Sequence, residues 1–174
     1  MKRVLFVFGV TLIVLVTATA AFAVITGVRG GPITKVTIAR STDAFSTTST
    51  SYVNVPGGSA FIGVGSGDSA LILARFSAES VCFGAGGWCS VRILLFGPAG
   101  AVEMNPASGS DFAFDSTDAG RSTSAEWESH SMDRSSNVVG AGSYTVVVQA
   151  ATVGSPITFR LDDYSLTVER SQVS

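Results

Sequence analysis

Ser143-Tyr-Thr-Val-Val-Val-Gln149 decides the fold class of this 174-residue chain. Tyr144, Val146 and Val148 alternate with residues that face the other way, and a period of two is typical of a β-strand with one buried face. Tyr and Val also favour strands, since their side chains pack well on a pleated surface. We therefore predict a strand here, with these three side chains in a core.

A similar pattern returns towards the C-terminus, in Phe159-Arg-Leu-Asp-Asp-Tyr-Ser-Leu-Thr-Val-Glu-Arg170. Phe159 and Leu161 share one face of this strand. The alternation changes phase across Asp162-Asp163, before the next apolar set begins at Tyr164. Because one extra residue in a strand shifts the side-chain alternation, the change predicts a β-bulge or turn at the two aspartates.

Strand signals cover most of the remaining chain, and turn residues such as Gly, Pro, Asn and Ser separate them. Several short strands with regular turns favour an all-β fold, and we predict an antiparallel β-sandwich of jelly-roll type with about eight to ten strands. A barrel is the nearest competitor. The predicted strands are Ile33–Ile38, Thr47–Val55, Ala60–Val64, Ala70–Val81, Ser90–Phe96, Ala101–Met104, Phe112–Phe114, Ala125–Met132, Ser143–Ala150 and Ile157–Val168.

The N-terminus has the layout of an export signal, and we expect it to be a hydrophobic helix. Lys2 and Arg3 precede an uncharged stretch that contains the A-x-A site Ala21-Phe-Ala23. Cleavage after Ala23 would make residues 1–23 a signal peptide. The alternative is an uncleaved signal anchor over residues 4–28, because about 20 apolar residues span a bilayer. The remainder is expected to be secreted or extracytoplasmic in the first case and membrane-anchored in the second.

Length and charge limit the function classes. Residues 24–40 are expected to hold a linker and the first strand, residues 41–170 one β-sandwich domain, and residues 171–174 a tail. Removing Lys2 and Arg3 from eleven basic side chains leaves nine against thirteen acidic ones, a net charge of −4. This excess of acidic side chains argues against a nucleic-acid partner. Contact with a membrane is expected only through the N-terminal segment, if that segment is not cleaved.

Two cysteines, Cys82 and Cys89, flank Phe-Gly-Ala-Gly-Gly-Trp. An exported chain with an even number of cysteines favours a disulfide bond. We predict that the bond closes the tip of a hairpin between Ala70–Val81 and Ser90–Phe96, so that it fastens a loop and does not build the core. A redox or metal pair is the alternative, but the C-x-x-C spacing is absent.

The segments Trp127–Arg134, Gly142–Gln149 and Phe159–Tyr164 together resemble a group of small exported β-sandwich proteins of high-GC bacteria, distantly similar in architecture to C1q/TNF-like jelly rolls. The resemblance covers about residues 40 to 170 and consists of strand and turn motifs. It implies a jelly roll and, by comparison with C1q and TNF, a trimer. The chain has no collagen-like Gly-X-Y stalk.

The single histidine, His130, follows Glu126 and Glu128 at a spacing of two. On a strand these three side chains would point the same way, with Trp127 on the opposite face in the core. Two carboxylates and an imidazole could bind a metal or act as acid and base, although such rows are commonly the solvent faces of strands. Zinc sites usually contain more nitrogen or sulfur ligands.

A second acidic group consists of Asp111, Asp115 and Asp118. Loop carboxylates suit calcium, which takes six to eight oxygen ligands, but their spacing is not that of an EF-hand. Asp and Ser also stabilise turns through local hydrogen bonds. Calcium is therefore the one cofactor that the sequence suggests, and no other is expected.

No catalytic fingerprint is present in the sequence; a Gly-x-Ser-x-Gly nucleophile elbow, for example, is absent. The leading hypothesis is a non-catalytic exported module in cell-surface structure, or one that binds a surface polymer or protein. Phe83 and Trp88 in the cysteine loop are the candidate contacts. The rival hypothesis is an extracellular hydrolase that uses Glu126 and Glu128 with His130.

Overall fold

The structure is a computed structural model that describes residues 27–109 and 112–173, which form ten β-strands. A 3₁₀ turn at Asp118–Gly120 follows the seventh strand. The strands are β1 (Ile33–Ser41), β2 (Phe45–Thr47), β3 (Val53–Val64), β4 (Ser69–Gly84), β5 (Trp88–Gly97), β6 (Gly100–Glu103), β7 (Asp115–Ser116), β8 (Glu128–Ser135), β9 (Gly142–Val153) and β10 (Ile157–Val173).

The strands form two antiparallel sheets that pack as a sandwich. The first sheet has the order β1-β10-β4-β8, with β2 also paired to β10. The second has the order β3-β9-β5-β6, with β7 also paired to β5. Without the short strands β2 and β7, this is the eight-stranded jelly-roll arrangement, so the predicted fold class is confirmed. Both sheets have free edge strands, and the competing barrel is wrong.

The core lies between the sheets, and strand periodicity determines which side chains enter it. On β9, Tyr144, Val146 and Val148 are buried as predicted. Phe76 on β4 and Phe159 on β10 are the largest fully buried side chains and come from adjacent strands. Each side chain of this size contributes about 1.5–3 kcal/mol when its apolar area leaves water.

The predicted bulge at Asp162-Asp163 is confirmed. The pairing of β10 with β4 shifts register between Asp162 and Ser165, and Asp163 has a φ of 42°. The extra residue turns the strand so that Leu161 before it and Tyr164 after it both face the core. One long strand can thereby keep a continuous apolar face despite its change of phase.

The predicted hairpin across the cysteine loop is wrong. β4 belongs to the first sheet and β5 to the second, so the loop crosses from one layer of the sandwich to the other. Cys82 and Cys89 form the predicted disulfide, with a Cα–Cα distance of 5.9 Å. Both are at most 1% exposed. The bond therefore ties the two sheets together inside the core, contrary to its predicted role in a loop.

Several strand bounds differ from those predicted. Phe112–Phe114 is not a strand, and pairing begins only with the two residues of β7. Ala60–Val64 is the second half of β3. The predicted tail is also wrong, because β10 continues to Val173 with Ser171 buried.

The predicted signal peptide or anchor, with its hydrophobic helix, lies in residues 1–26, outside the described residues, apart from the last two residues of the anchor range. Asp111 also lies outside them. The described part of the chain contains no helix with the length and hydropathy of a membrane span. The disulfide points to an extracytoplasmic or otherwise oxidising environment.

Candidate functional site

An acidic cleft of about 300 Å³ lies at the end of the sandwich that carries the disulfide. It brings together residues of the two groups that the sequence presented separately, the aspartate loop and the region around His130. The lining residues are Cys82, Asp115, Ser116, Asp118, Ser122, Glu126 and Glu128.

Strand pairing explains why these groups meet. β8 pairs with β4 so that Glu128 lies opposite Ser80 and His130 opposite Ala78. β7 pairs with β5 and places Asp115 beside Cys89. The cleft therefore forms where β4, β7 and β8 converge, although its lining residues are up to 46 positions apart in the chain.

A chain of polar contacts connects Asp115 and Glu128, two residues that line the cleft. The Ser80 hydroxyl donates to Oδ2 of Asp115 at 2.6 Å and lies 3.0 Å from Nδ1 of His130. Nε2 of His130 is 3.5 Å from Oε2 of Glu128. Ser80 is fully buried, and the His130 ring packs on Phe114 with ring centroids 5.5 Å apart. The imidazole is thus held in one orientation.

This arrangement does not match a serine-protease triad. In such a triad the histidine lies between the serine and the acid, and the serine hydroxyl is accessible to the substrate. Here the serine lies between the acid and the histidine, and it is buried. The chain of contacts positions the Asp115 and His130 side chains.

Asp118 faces a different partner. Nη2 and Nε of Arg121 donate to its two carboxylate oxygens at 2.7 and 3.0 Å. These hydrogen bonds and the guanidinium charge lower the pKa of Asp118 below its ordinary value and raise that of Arg121. Asp115 instead contacts Ser80, and Asp111 lies outside the described residues. The calcium site at Asp111, Asp115 and Asp118 therefore stays a prediction.

The predicted row of Glu126, Glu128 and His130 is only partly correct. β8 begins at Glu128, and Glu126 precedes it in a turn where its carboxylate accepts a hydrogen bond from the Thr123 backbone N–H at 3.0 Å. Trp127 was predicted to enter the core from the opposite face, and this is wrong. It is half-buried, and the Arg160 guanidinium lies 4.9 Å from its ring centroid.

Phe83 and Trp88, the predicted contact residues of the cysteine loop, are both half-buried. Trp88 is the first residue of β5 and pairs with Val153 on one side and Ser116 on the other. Its indole N–H is buried and has no hydrogen-bond partner among the described residues. A binding role for the two side chains stays a prediction.

The structure shows a second surface that sequence reasoning missed, the outer face of the second sheet. Phe61 on β3 and Phe96 on β5 lie on either side of Thr145 on β9 in one row, and they are 53% and 41% exposed. We call these three residues the aromatic row. The alternation of side chains along β3 could have indicated this surface, because Phe61 lies between the buried Ala60 and Ile62 and therefore faces outwards.

A polar ladder crosses the same face four residues further along β9. Nε of Arg92 donates to Oε1 of Gln149 at 2.8 Å, and Nε2 of Gln149 donates to Oδ1 of Asn54 at 2.7 Å. The Arg92 guanidinium lies 4.1 Å from the centroid of the Tyr52 ring. These contacts hold the guanidinium of Arg92, the amides of Gln149 and Asn54 and the ring of Tyr52 in fixed positions at the surface.

No protein-family model matches the chain, and no curated protein matches it in sequence. Similar solved structures include dimeric latent PorU from Porphyromonas gingivalis, at 9% identity and a TM-score of 0.42. The structure of infectious bursal disease virus Gx strain is similar at 12% identity and a TM-score of 0.35. A carbohydrate-binding module of Cellvibrio mixtus lichenase 5A, in complex with cellotriose, is similar at 13% identity and a TM-score of 0.25.

The matches cover 79%, 80% and 83% of this chain, and 13%, 36% and 92% of those chains, respectively. The chain therefore spans well under half the length of the first two. At these identities the likeness concerns the β-sandwich fold alone. The predicted membership of a group from high-GC bacteria, and the trimer, stay predictions.

Proposed function

We propose that the protein is a non-catalytic extracytoplasmic binding module that holds a neutral polysaccharide on the outer face of its second sheet. The observation that carries this proposal is the combination of the exposed aromatic row with the polar ladder on one face of the sheet. Binding sites combine aromatic surface with a few fixed polar groups, and a sugar ring offers an apolar C–H face and a rim of hydroxyls to both.

The spacing of the two features favours a polymer over a single sugar. Thr145 and Gln149 are four residues apart on β9, which corresponds to about 14 Å along an extended strand. Phe61 and Phe96 are two strands apart, about 9.6 Å. A ligand that contacts both features must therefore be extended.

Charge favours a neutral polymer. The face carries Arg92 and the half-buried Glu103, which lies beside Leu94 in the next row, so its charged groups balance. The whole chain has a net charge of −2. A strongly anionic polymer would gain no attraction from such a surface.

Retention on immobilised neutral polysaccharides, namely glucans, mannans and arabinogalactan, tests the proposal. We expect the protein to bind at least one of them and the variant Phe61→Ser/Phe96→Ser to lose about tenfold or more in affinity, since each 1.4 kcal/mol is tenfold. Ile38→Ser is the matched control, because Ile38 is 47% exposed on β1 of the other sheet. Phe83→Ser tests the cysteine loop in the same assay.

Two results would contradict the proposal. One is failure to bind any polymer of the panel. The other is equal binding by the double variant and the Ile38→Ser control. Loss of binding in Phe83→Ser alone would assign the contact to the cysteine loop.

An extracellular hydrolase is the second candidate, because Glu126 and Glu128 line one cleft with two aspartates. In this hypothesis Glu128 and Glu126 act as acid and base, and His130 assists them. Release of reducing sugar from the same polymers, abolished in Glu128→Gln, would support it. Polymer binding without any product would favour the binding module.

A further inference from the structure

Asp115, Glu128 and His130 offer three ligand atoms that all lie within 4.8 Å of one another. Two are carboxylate oxygens and the third is an imidazole nitrogen. Asp115 and His130 are half-buried, whereas the Glu128 side chain is 69% exposed. Asp115 and Glu128 line the acidic cleft, and the group does not overlap the aromatic row or the polar ladder.

The protons in this group can be assigned one by one. An ionised carboxylate only accepts hydrogen bonds, so the Ser80 hydroxyl uses its single proton to donate a hydrogen bond to Asp115. Ser80 Oγ must then accept from His130, which places the imidazole proton on Nδ1. In the neutral ring, Nε2 therefore directs a lone pair towards the Glu128 carboxylate, 3.5 Å away.

Two acceptors that face each other at this distance repel unless a cation lies between them. We propose that Asp115, Glu128 and His130 bind a divalent transition-metal ion of the zinc class, with Nε2 of His130 as the nitrogen ligand. Three protein ligands with a fourth position open to water are typical of accessible zinc sites. Most zinc sites contain more nitrogen or sulfur ligands than this group offers, but its imidazole nitrogen favours the zinc class over calcium, which takes oxygen ligands.

The buried serine strengthens the assignment. Metal-binding histidines usually donate their other ring N–H to a neighbouring group, which fixes the tautomer and the ring orientation. Ser80 accepts from His130 and donates to Asp115, so one fully buried hydroxyl orients two of the three ligands. Ser80 is thus a positioning residue.

Nε2 of His130 and Oε2 of Glu128 are already 3.5 Å apart, and the three side chains must move closer together to bind one ion. Zinc lies about 2.0–2.2 Å from nitrogen and oxygen ligands, so two ligands at the tetrahedral angle of one ion are about 3.3–3.6 Å apart. Glu128 is the most exposed of the three and has room to rotate towards the other two.

Zinc titration of the untagged, chelator-treated protein tests the proposal. Because the chain has one histidine, nitrogen-15 spectra of the imidazole report this site alone. We expect one equivalent of Zn²⁺ to shift the Nε2 resonance while Nδ1 keeps its proton, and excess Ca²⁺ to leave the zinc-bound spectrum unchanged.

Variants separate ligands from neighbours. Asp115→Asn, Glu128→Gln and His130→Gln should each lower zinc affinity in calorimetry by more than about tenfold. Ser80→Ala should lower it by about 10- to 100-fold and allow the imidazole proton to move between nitrogens. Glu79→Gln, an exposed carboxylate on the same strand as Ser80, is the control. Circular dichroism shows which variants are folded.

Three results would overturn the proposal. The first is an Nε2 resonance that responds to pH but not to Zn²⁺, which would make the bridging cation a proton. The second is equal zinc affinity in the folded His130→Gln variant. The third is displacement of zinc by calcium, which would indicate an all-oxygen site.

Discussion

At the scale of single residues, Cys82 and Cys89 illustrate how burial changes the meaning of a motif. Their number and context predicted the disulfide, and the structure confirms it. The flexible loop between them suggested a hairpin tip at the surface. Burial of both half-cystines in the core shows that the bond constrains the junction between the sheets, a position that spacing alone does not indicate.

The variant Cys82→Ala/Cys89→Ala should be less stable than the native protein by at least about 2.5 kcal/mol, the chain-entropy contribution of a loop this short. Loss of the buried sulfur atoms adds to the effect. Urea denaturation at equal protein concentration measures the difference, and thiol alkylation with mass spectrometry verifies the bond in the native protein. Equal midpoints for the two proteins would contradict the prediction.

At the scale of elements, the bulge in β10 was predictable because it leaves a mark on the sequence, a change of phase in the apolar pattern. Positions of the long strands followed from the same alternation. The partners of each strand did not, because alternation states which face is buried but not which strand lies beside it. This explains why β4 and β5 were predicted to pair with each other, whereas they lie in different sheets.

Asp163 occupies the left-handed region with a φ of 42°, which an L-residue with a branched side chain tolerates poorly. Asp163→Val should therefore destabilise the protein by about 1–2 kcal/mol. Asp163→Gly is the matched control and should be neutral or slightly stabilising, since glycine adopts this conformation without a steric penalty. Thermal unfolding of both variants checks the prediction, and an equal loss in each would point to the aspartate side chain instead.

At the scale of the whole molecule, both sheets contribute to one apolar core, and the disulfide joins them at one end. A domain with one shared core usually unfolds in a single cooperative transition. Most strand pairs join segments that are far apart in the chain, as β1 with β10 does. Neither sheet therefore has a core of its own on which to remain folded.

Unfolding in urea should show the same midpoint by tryptophan fluorescence and by far-ultraviolet circular dichroism. Trp88 and Trp127 report on the end of the sandwich that carries the disulfide and the acidic cleft, whereas circular dichroism reports on all strands. Coincident curves are expected because the shared core is lost at once. A fluorescence transition at lower urea would instead mean that this end unfolds independently.

The sequence by itself determined the strand class, the alternation of buried and exposed side chains, the bulge and the cysteine pair, because each depends on residues that are close in the chain. It also indicated Asp115, Glu128 and His130 as candidate ligands, but it placed Asp115 in one group and Glu128 and His130 in another. Only the tertiary structure decided that their ligand atoms lie within 4.8 Å of one another, that Ser80 lies between two of them, and that Phe61 and Phe96 form one surface. These relations depend on which strands are neighbours, and strand order is set by packing of the complete core.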